Sequence, residues 1–247
     1  RVTDLVRVTT PKGEYVAVRK TTRGRPAREL LPRILADALA SLSFPKSMYW
    51  VAKAGPRFVR PVRWMVAAFG EGKEARAIPF EFAGVKAGLA TCGHRALNPG
   101  PVKVQSFKDY ARKLRQAGVE FDPAERRKKI QKELKVILED SRLRHVDDPW
   151  LEDWVVNSTE WPHAILGSFD PRHLRLPREI LVTVMRDHQK YFAVENRKGE
   201  LQPRFIAVLN QEGDRKGLIR CGHERVLAAR FTDAEFFWDS DQRASLR

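Results

Sequence analysis

Residues 177–209 read PREILVTVMRDHQKYFAVENRKGELQPRFIAVL, and this stretch decides the fold class. Its first half repeats apolar residues at helical spacing. Ile180, Leu181, Val184 and Met185 turn inward, and Pro177 stands near the first helical position, where a missing N–H costs least. The second half changes period. Tyr191 to Val194 and Arg204 to Leu209 are β-type runs divided by turn residues at Asn196–Gly199, which predicts an antiparallel hairpin directly after the helix. A helix that feeds a hairpin, with no regular βαβ alternation around it, points to an α+β fold rather than a doubly wound sheet.

The same mixture continues on both sides. Downstream, 220–247 reads as mostly helical. Upstream, Leu151 to Ser158 reads as a helix and Trp161 to Leu166 as a strand. Ser106 with Asp109, and Asp122-Pro123 with Glu125, each place a short capping side chain ahead of an acid at a helix start. Ile130, Leu134, Ile137 and Leu138 form the apolar stripe of the second of these helices. Together they predict a helical hairpin over 106–142, inserted between two β-containing parts.

Nearer the N-terminus, Leu5–Val8 and Tyr15–Arg19 read as a hairpin around Pro11–Gly13. Leu30, Leu31, Ile34, Leu35, Ala38, Leu39 and Leu42 mark a helix with Pro32 in its first turn, followed by a Lys-, Trp- and Gly-rich loop to Pro56. Val62–Phe69 and Ala77–Phe82 read as strands about a polar turn at 71–73, and Val85–Thr91 as a short strand or loop. The expected organisation is an α+β part over 1–105, a helical insertion over 106–150, a continuation over 151–212 and a helical segment over 213–247. The class is α+β, with antiparallel or mixed sheets, packed helices and the inserted helical hairpin.

Composition narrows the partners. The chain carries 46 Lys and Arg against 31 Asp and Glu, a net charge of +15 and a pI of about 10.2. Such a balance favours polyanions, since phosphate contacts add up through counterion release. An apolar fraction of 43% excludes a disordered composition. Cys92 and Cys221 form neither a CxxC pair nor a disulfide ladder, which suits a reduced, cytoplasmic protein. No run approaches a membrane span and no signal peptide opens the chain, so no membrane partner is expected. A start at Arg1 and a stop at Arg247 inside a charged helical pattern predict an excised internal piece.

Motifs for chemistry are sparse. The six histidines lack i,i+4 pairs and zinc spacings, so no metal is expected. There is no GxxxxGK[ST], GxGxxG or GxSxG, so no nucleotide cofactor and no catalytic residue is expected either. Thr91-Cys92-Gly93-His94-Arg95 brings a thiol, an imidazole and a guanidinium together, readable as a reactive site or as a turn that meets backbone or phosphate. Phe58-Val59-Arg60-Pro61-Val62-Arg63-Trp64 interleaves arginines with aromatics. If it enters a strand, Arg63 opposes Val62 and Trp64, which sends Trp64 to the core. Met185 to Phe192 gathers polar groups at a helix-to-strand corner, a usual place for binding. The candidate RNA-binding residues are therefore Arg60, Arg63, His94, Arg95, Arg186, His188 and Lys190. The run Arg126–Lys129 points all around its helix and reads as a solvated face.

Several blocks, in order, carry a resemblance. They are the 58–64 block, Ile78-Pro79-Phe80, Thr91–Arg95, Glu160-Trp161-Pro162, Gly167-Ser168-Phe169, Leu176-Pro177-Arg178-Glu179, His188–Phe192, Phe205–Val208 and Asp233–Phe237. In this order they resemble bacterial glycyl-tRNA synthetase β subunits over nearly the whole chain. The departures are His223, where the family pattern has Asn, Phe231-Thr232, and Ala96 in place of an aromatic. The resemblance implies a piece of an α2β2 glycine–tRNA ligase with two partners, tRNA(Gly) and the glycyl-tRNA synthetase α subunit. ATP and Mg would be used by the α subunit, and this piece would bind tRNA and support assembly without chemistry of its own. Two alternatives stand beside it: a hydrolytic editing-type domain using Cys92, His94, Asp187 and His188, and a purely structural core domain.

Overall fold

The computed structural model describes residues 5–18, 23–49, 55–70, 72–139 and 141–243. The expected strand end at Arg19, most of the loop after Tyr49, part of the turn at 71–73 and the last residues of the C-terminal helix pattern lie outside them. The chain divides into two compact units, 1–70 with 75–89, and 71–74 with 90–247.

In the first unit, β1 (Leu5–Thr10) and β2 (Gly13–Val18) pair antiparallel, with Thr10 opposite Gly13, so the turn is Pro11-Lys12. Helix α1 (Ala27–Ser41) starts earlier than its leucine pattern indicates, and Pro32 lies inside it rather than in its first turn. Short strands follow: β3 (Met48–Tyr49), β4 (Arg57–Phe58), β5 (Met65–Val66), β6 (Ala68–Phe69), β7 (Arg76–Ala77), β8 (Glu81–Phe82) and β9 (Val85–Gly88). The single strand expected over Val62–Phe69 is broken. At Ala67 the chain changes partner: its N–H donates to Gly88 O (3.2 Å) and its carbonyl accepts from Ile78 N (3.0 Å). Thus β5 pairs parallel with β9 while β6 pairs antiparallel with β7. Because 61–64 stays out of any strand, Trp64 is 48% exposed and not a core residue.

The second unit opens with β10 (Ala90–Cys92) and β11 (Pro101–Lys103), then α2 (Phe107–Gln116) and α3 (Pro123–Val136). Both helices start as their sequences indicate. Ser106 Oγ accepts from Asp109 N (3.1 Å) and Asp122 Oδ1 from Ala124 N (2.8 Å). Next come β12 (Leu143–His145), α4 (Pro149–Ser158), β13 (Pro162–Ser168), a 3-10 turn at Pro171–Arg175, α5 (Arg178–Thr183), a π-helical turn at Val184–Gln189, β14 (Phe192–Asn196), β15 (Leu201–Asn210) and α6 (Leu218–Asp241). The α+β class holds, with mixed pairing in the first unit and antiparallel pairing here.

The centre of this unit is a four-stranded antiparallel sheet of order β12-β14-β15-β13. Both of its faces are buried, and strand alternation divides the core in two. Ile165, Ala193, Phe205, Ala207 and Leu209 pack with Leu181, Met185, Leu227 and Phe231 from α5, the π turn and α6. Ala164, Phe192, Val194 and Ile206 pack with Ile130, Leu134 and Leu138 at and just beyond α3, and with Leu151, Val155 and Val156 of α4. Burial on both faces explains why 191–194 and 205–209 are unbroken apolar runs rather than alternating ones.

Candidate nucleic-acid interface

The corner between α5 and β14 is built by a widened helical turn. Six residues, Val184–Gln189, adopt π geometry, anchored by the fully buried Met185, whose carbonyl accepts from Tyr191 N (2.9 Å). Lys190 then takes the left-handed conformation (φ 60°, ψ 42°), uncommon for a residue with a side chain. Its ammonium donates to Asp187 O (2.8 Å), which holds the lysine over its own turn. A single π turn at the end of an α-helix is frequently found at functional sites.

Arg186 lies within this turn. Its Nε lies 2.5 Å from Asp148 Oδ2 and its Nη1 2.9 Å from Asp187 Oδ1. Bonding to Asp148 raises the guanidinium pKa further and fixes the charge in place. Asp148 serves twice, since its Oδ1 also accepts from Leu151 N (2.9 Å) and caps α4.

Helix α4 then sets two tryptophans one turn apart on a single face. Trp150 and Trp154 are 46% and 43% exposed, while Leu151, Val155 and Val156 on the opposite face enter the core. Arg186 Cζ lies 4.3 Å from the Trp150 ring centre, and Lys190 Nζ lies 4.7 Å from Trp150 and 5.3 Å from Trp154. A cleft of about 390 Å³ opens here, lined by Trp150, Asp153, Trp154, Asn157 and Ser158. Cations over indole faces are attracted by the ring electrons. With Arg186 neutralised by two carboxylates, the corner is less a phosphate clamp than a stacking platform for a flat ring, with one ammonium beside it.

The expected contacts therefore separate. Arg186, His188 and Lys190 share this corner, and His188 is exposed. Arg95 is exposed on a turn of the same unit, but its neighbour His94 is only 3% exposed. Nδ1 of His94 accepts the amides of Ala96 and Leu97 (3.2 Å each), and its own amide donates to Ala117 O (2.8 Å). The imidazole thus shapes the turn that presents Arg95. Gly93 is needed there, because a Cβ would come within 2.6 Å of Asn98 O and 2.7 Å of Ala117 Cβ. Arg60 and Arg63 are exposed on the irregular segment of the first unit.

The conspicuous run Arg126–Lys129 is not a solvated face. Arg126 donates to Val156 O (2.8 Å) and Glu120 O (2.7 Å), and Arg127 binds Glu152 (2.8 Å) and Asp153. Lys128 pairs with Glu125 (2.7 Å), and Lys129 sits 4.2 Å from the Trp161 ring centre, where burial lowers its pKa. Three of the four side chains therefore fasten α3 to its neighbours and Lys128 pairs within the helix. Trp150 and Trp154 were not singled out by sequence reasoning. Their signal was a pair of tryptophans at i,i+4 on the polar side of a helix already recognised. Among the described residues no group of three or more His, Cys, Asp or Glu could hold a metal ion, and no helix is long and apolar enough to cross a membrane.

Comparison with known proteins gives a consistent result. The family model described as glycyl-tRNA synthetase beta subunit matches residues 1–247. Similar curated proteins include the glycine–tRNA ligase beta subunit of Acidobacterium capsulatum, 48% identical over 99% of this chain and 35% of the relative. Those of Moorella thermoacetica and Syntrophotalea carbinolica are 42% and 38% identical, over 95% and 99% of the chain and 33% and 35% of the relatives. The chain spans about a third of the length of these relatives.

Proposed function

Because the chain belongs to the glycyl-tRNA synthetase beta-subunit family, we propose that it is a tRNA-binding and assembly segment of a glycine–tRNA ligase. Ligation with ATP and Mg is assigned to the catalytic α subunit, and tRNA(Gly) is the RNA partner. The observation that carries the RNA part is the Trp150–Trp154 platform with Arg186 and Lys190 against its rings. An unpaired base of the tRNA stacks there, while Arg95 and the chain's net charge of +15 supply attraction to the backbone. His94 acts by positioning Arg95 and not by contact. For assembly, the adjacent exposed rings of Phe236 and Phe237 on α6 offer an apolar surface. A hydrolytic role is less well supported, since Asp187 is bonded to Arg186 and His94 turns Nδ1 to backbone amides.

The test is tRNA(Gly) binding by the full subunit with its partner, comparing wild type with Trp150→Ala, Trp154→Ala and Lys190→Ala. Loss of a stacked base costs about 1–3 kcal/mol, or roughly 5- to 150-fold in Kd. The tryptophan variants lose affinity with an unchanged salt slope, whereas Lys190→Ala lowers the slope. Unaltered Kd in both folded tryptophan variants removes this corner from the interface.

A further inference from the structure

Strand β13 is an edge of the four-stranded sheet, and an edge strand leaves the N–H and C=O groups of alternate residues unpaired. On β13 those are residues 164, 166 and 168. Two of their amides are closed off by carboxylates from different helices. Ala164 N donates to Glu133 Oε2 of α3 (2.6 Å), and Ser168 N to Glu224 Oε1 of α6 (2.9 Å). Neither end of the edge can therefore take another strand. By alternation the Leu166 N–H points the same way, between the two closed positions.

Leu166 lines a cavity of about 550 Å³ whose other wall carries Asp214, Arg215, Lys216 and Arg220, in the turn that leads into α6. Asp214 is already committed. It accepts the amides of Ile219 (3.2 Å) and Arg220 (2.7 Å), so the head of that helix is satisfied from within the chain. Among the described residues, no carboxylate lies within ion-pair distance of Arg215, Lys216 or Arg220. An open amide thus faces three cations across a cavity, of which Arg220 is also attracted to the Asp214 carboxylate while Arg215 and Lys216 have no carboxylate in ion-pair range among the described residues, a donor set for a multiply charged oxyanion.

We propose that this cavity binds one phosphate group, with one oxygen accepting from the Leu166 amide and the others facing Arg215, Lys216 and Arg220. A carboxylate already occupies each neighbouring position on the edge, and the surplus of cations between them selects a group with more charge and more oxygens. The phosphate is either a phosphodiester of bound RNA or a free phosphate ester. The site stands independently of the tryptophan platform.

The experiment follows the Leu166 amide in the NMR spectrum of the full chain as inorganic phosphate replaces chloride at constant ionic strength. A saturable downfield shift is expected in wild type. It is lost in the triple variant Arg215→Gln, Lys216→Gln, Arg220→Gln. In Leu166→Pro, tolerated where an edge N–H faces outward, calorimetric phosphate binding is lost. The salt slope for tRNA binding then identifies the source: a fall of about one in the triple variant assigns an RNA phosphate, and an unchanged slope assigns a free ester. No saturable shift in wild type, or binding undiminished in both variants, overturns the proposal.

Discussion

Replacing Gly167 by alanine tests how tightly the sheet is packed. A Cβ at this position on β13 would come within 2.6 Å of Phe205 Cε1 and 3.0 Å of Cε2, with Cζ nearer still. Comfortable carbon contacts need about 3.5–4.0 Å, so the ring must retreat by roughly 1 Å. It has nowhere to go. Phe205 is fully buried, and its far side meets Tyr191, stacked at 4.6 Å between ring centres and tilted by 20°. Overpacking of this kind costs about 3 kcal/mol at the upper end of its usual range. Alanine returns up to about 1 kcal/mol by suiting an extended backbone better than glycine. The expected net loss is about 2 kcal/mol, read from urea unfolding followed by tryptophan fluorescence. Phe205→Leu should relieve the clash, so the double variant should be more stable than the sum of the single losses predicts. A loss well below about 1 kcal/mol for Gly167→Ala, or strict additivity in the double variant, would refute the packing argument.

Two further expectations follow from the same unit. Arg127→Ala should cost about 1 kcal/mol of stability, since its partly exposed guanidinium joins α3 to Glu152 and Asp153 of α4, and should leave tRNA affinity unchanged. A drop in affinity without a drop in stability would return the 126–129 run to the RNA surface. His223 accepts from or donates to the Tyr191 hydroxyl at 2.5 Å, and burial holds its imidazole below the ordinary value while pushing the tyrosine up to about 12. As pH falls through about 6.5 the unfolded chain binds protons first, so this contribution to stability shrinks below that pH and is fully present above it. His223→Asn keeps an acceptor and removes the titration. Urea midpoints between neutral and mildly acidic pH should therefore vary less in the variant, with a residual slope from His145, which burial also holds down. An identical pH dependence in both proteins would show that His223 does not contribute.

The helices of the second unit and strands β13, β14 and β15 were legible because each carries its own local signal, whereas the three-residue strands β11 and β12 were not read at all. The Asp148 cap was not read, and the helix it starts begins two residues before the expected Leu151, whereas Ser106 and Asp122 cap helices from side chains that can be read in isolation. The turn after β14 is similar, since Asn196 Oδ1 accepts the amides of Lys198 (2.9 Å) and Glu200 (3.1 Å) ahead of Gly199 at φ 82°. What could not be read depends on partners distant in sequence. The break at Ala67 arises because its two backbone groups serve different strands, at Gly88 and Ile78. The π turn at 184–189 fits an amphipathic helix pattern as well as an α-helix does, and the Arg186–Asp148 bond joins residues 38 apart in sequence.

The same distinction separates charge from function at the surface. Arg126 to Lys129 is the densest basic run in this unit's helices, yet its partners are chiefly two carbonyls, the carboxylates of Glu152 and Asp153 on α4, and the Trp161 indole just before β13. Basic residues that meet acids distant in sequence but adjacent in structure are consumed by folding. Those that remain for a ligand are found where the acids are already spent. At the tryptophan corner Asp148 and Asp187 are used on Arg186, which leaves the Lys190 ammonium without a carboxylate partner among the described residues, beside two half-exposed indoles. At the β13 edge Glu133, Glu224 and Asp214 are used on backbone amides, which leaves Arg215 and Lys216 without an ion-pair partner among the described residues and Arg220 only attracted to Asp214 from beyond ion-pair distance. Net charge alone ranks these places wrongly, because it counts the cations before subtracting the carboxylates that the fold has already placed on them.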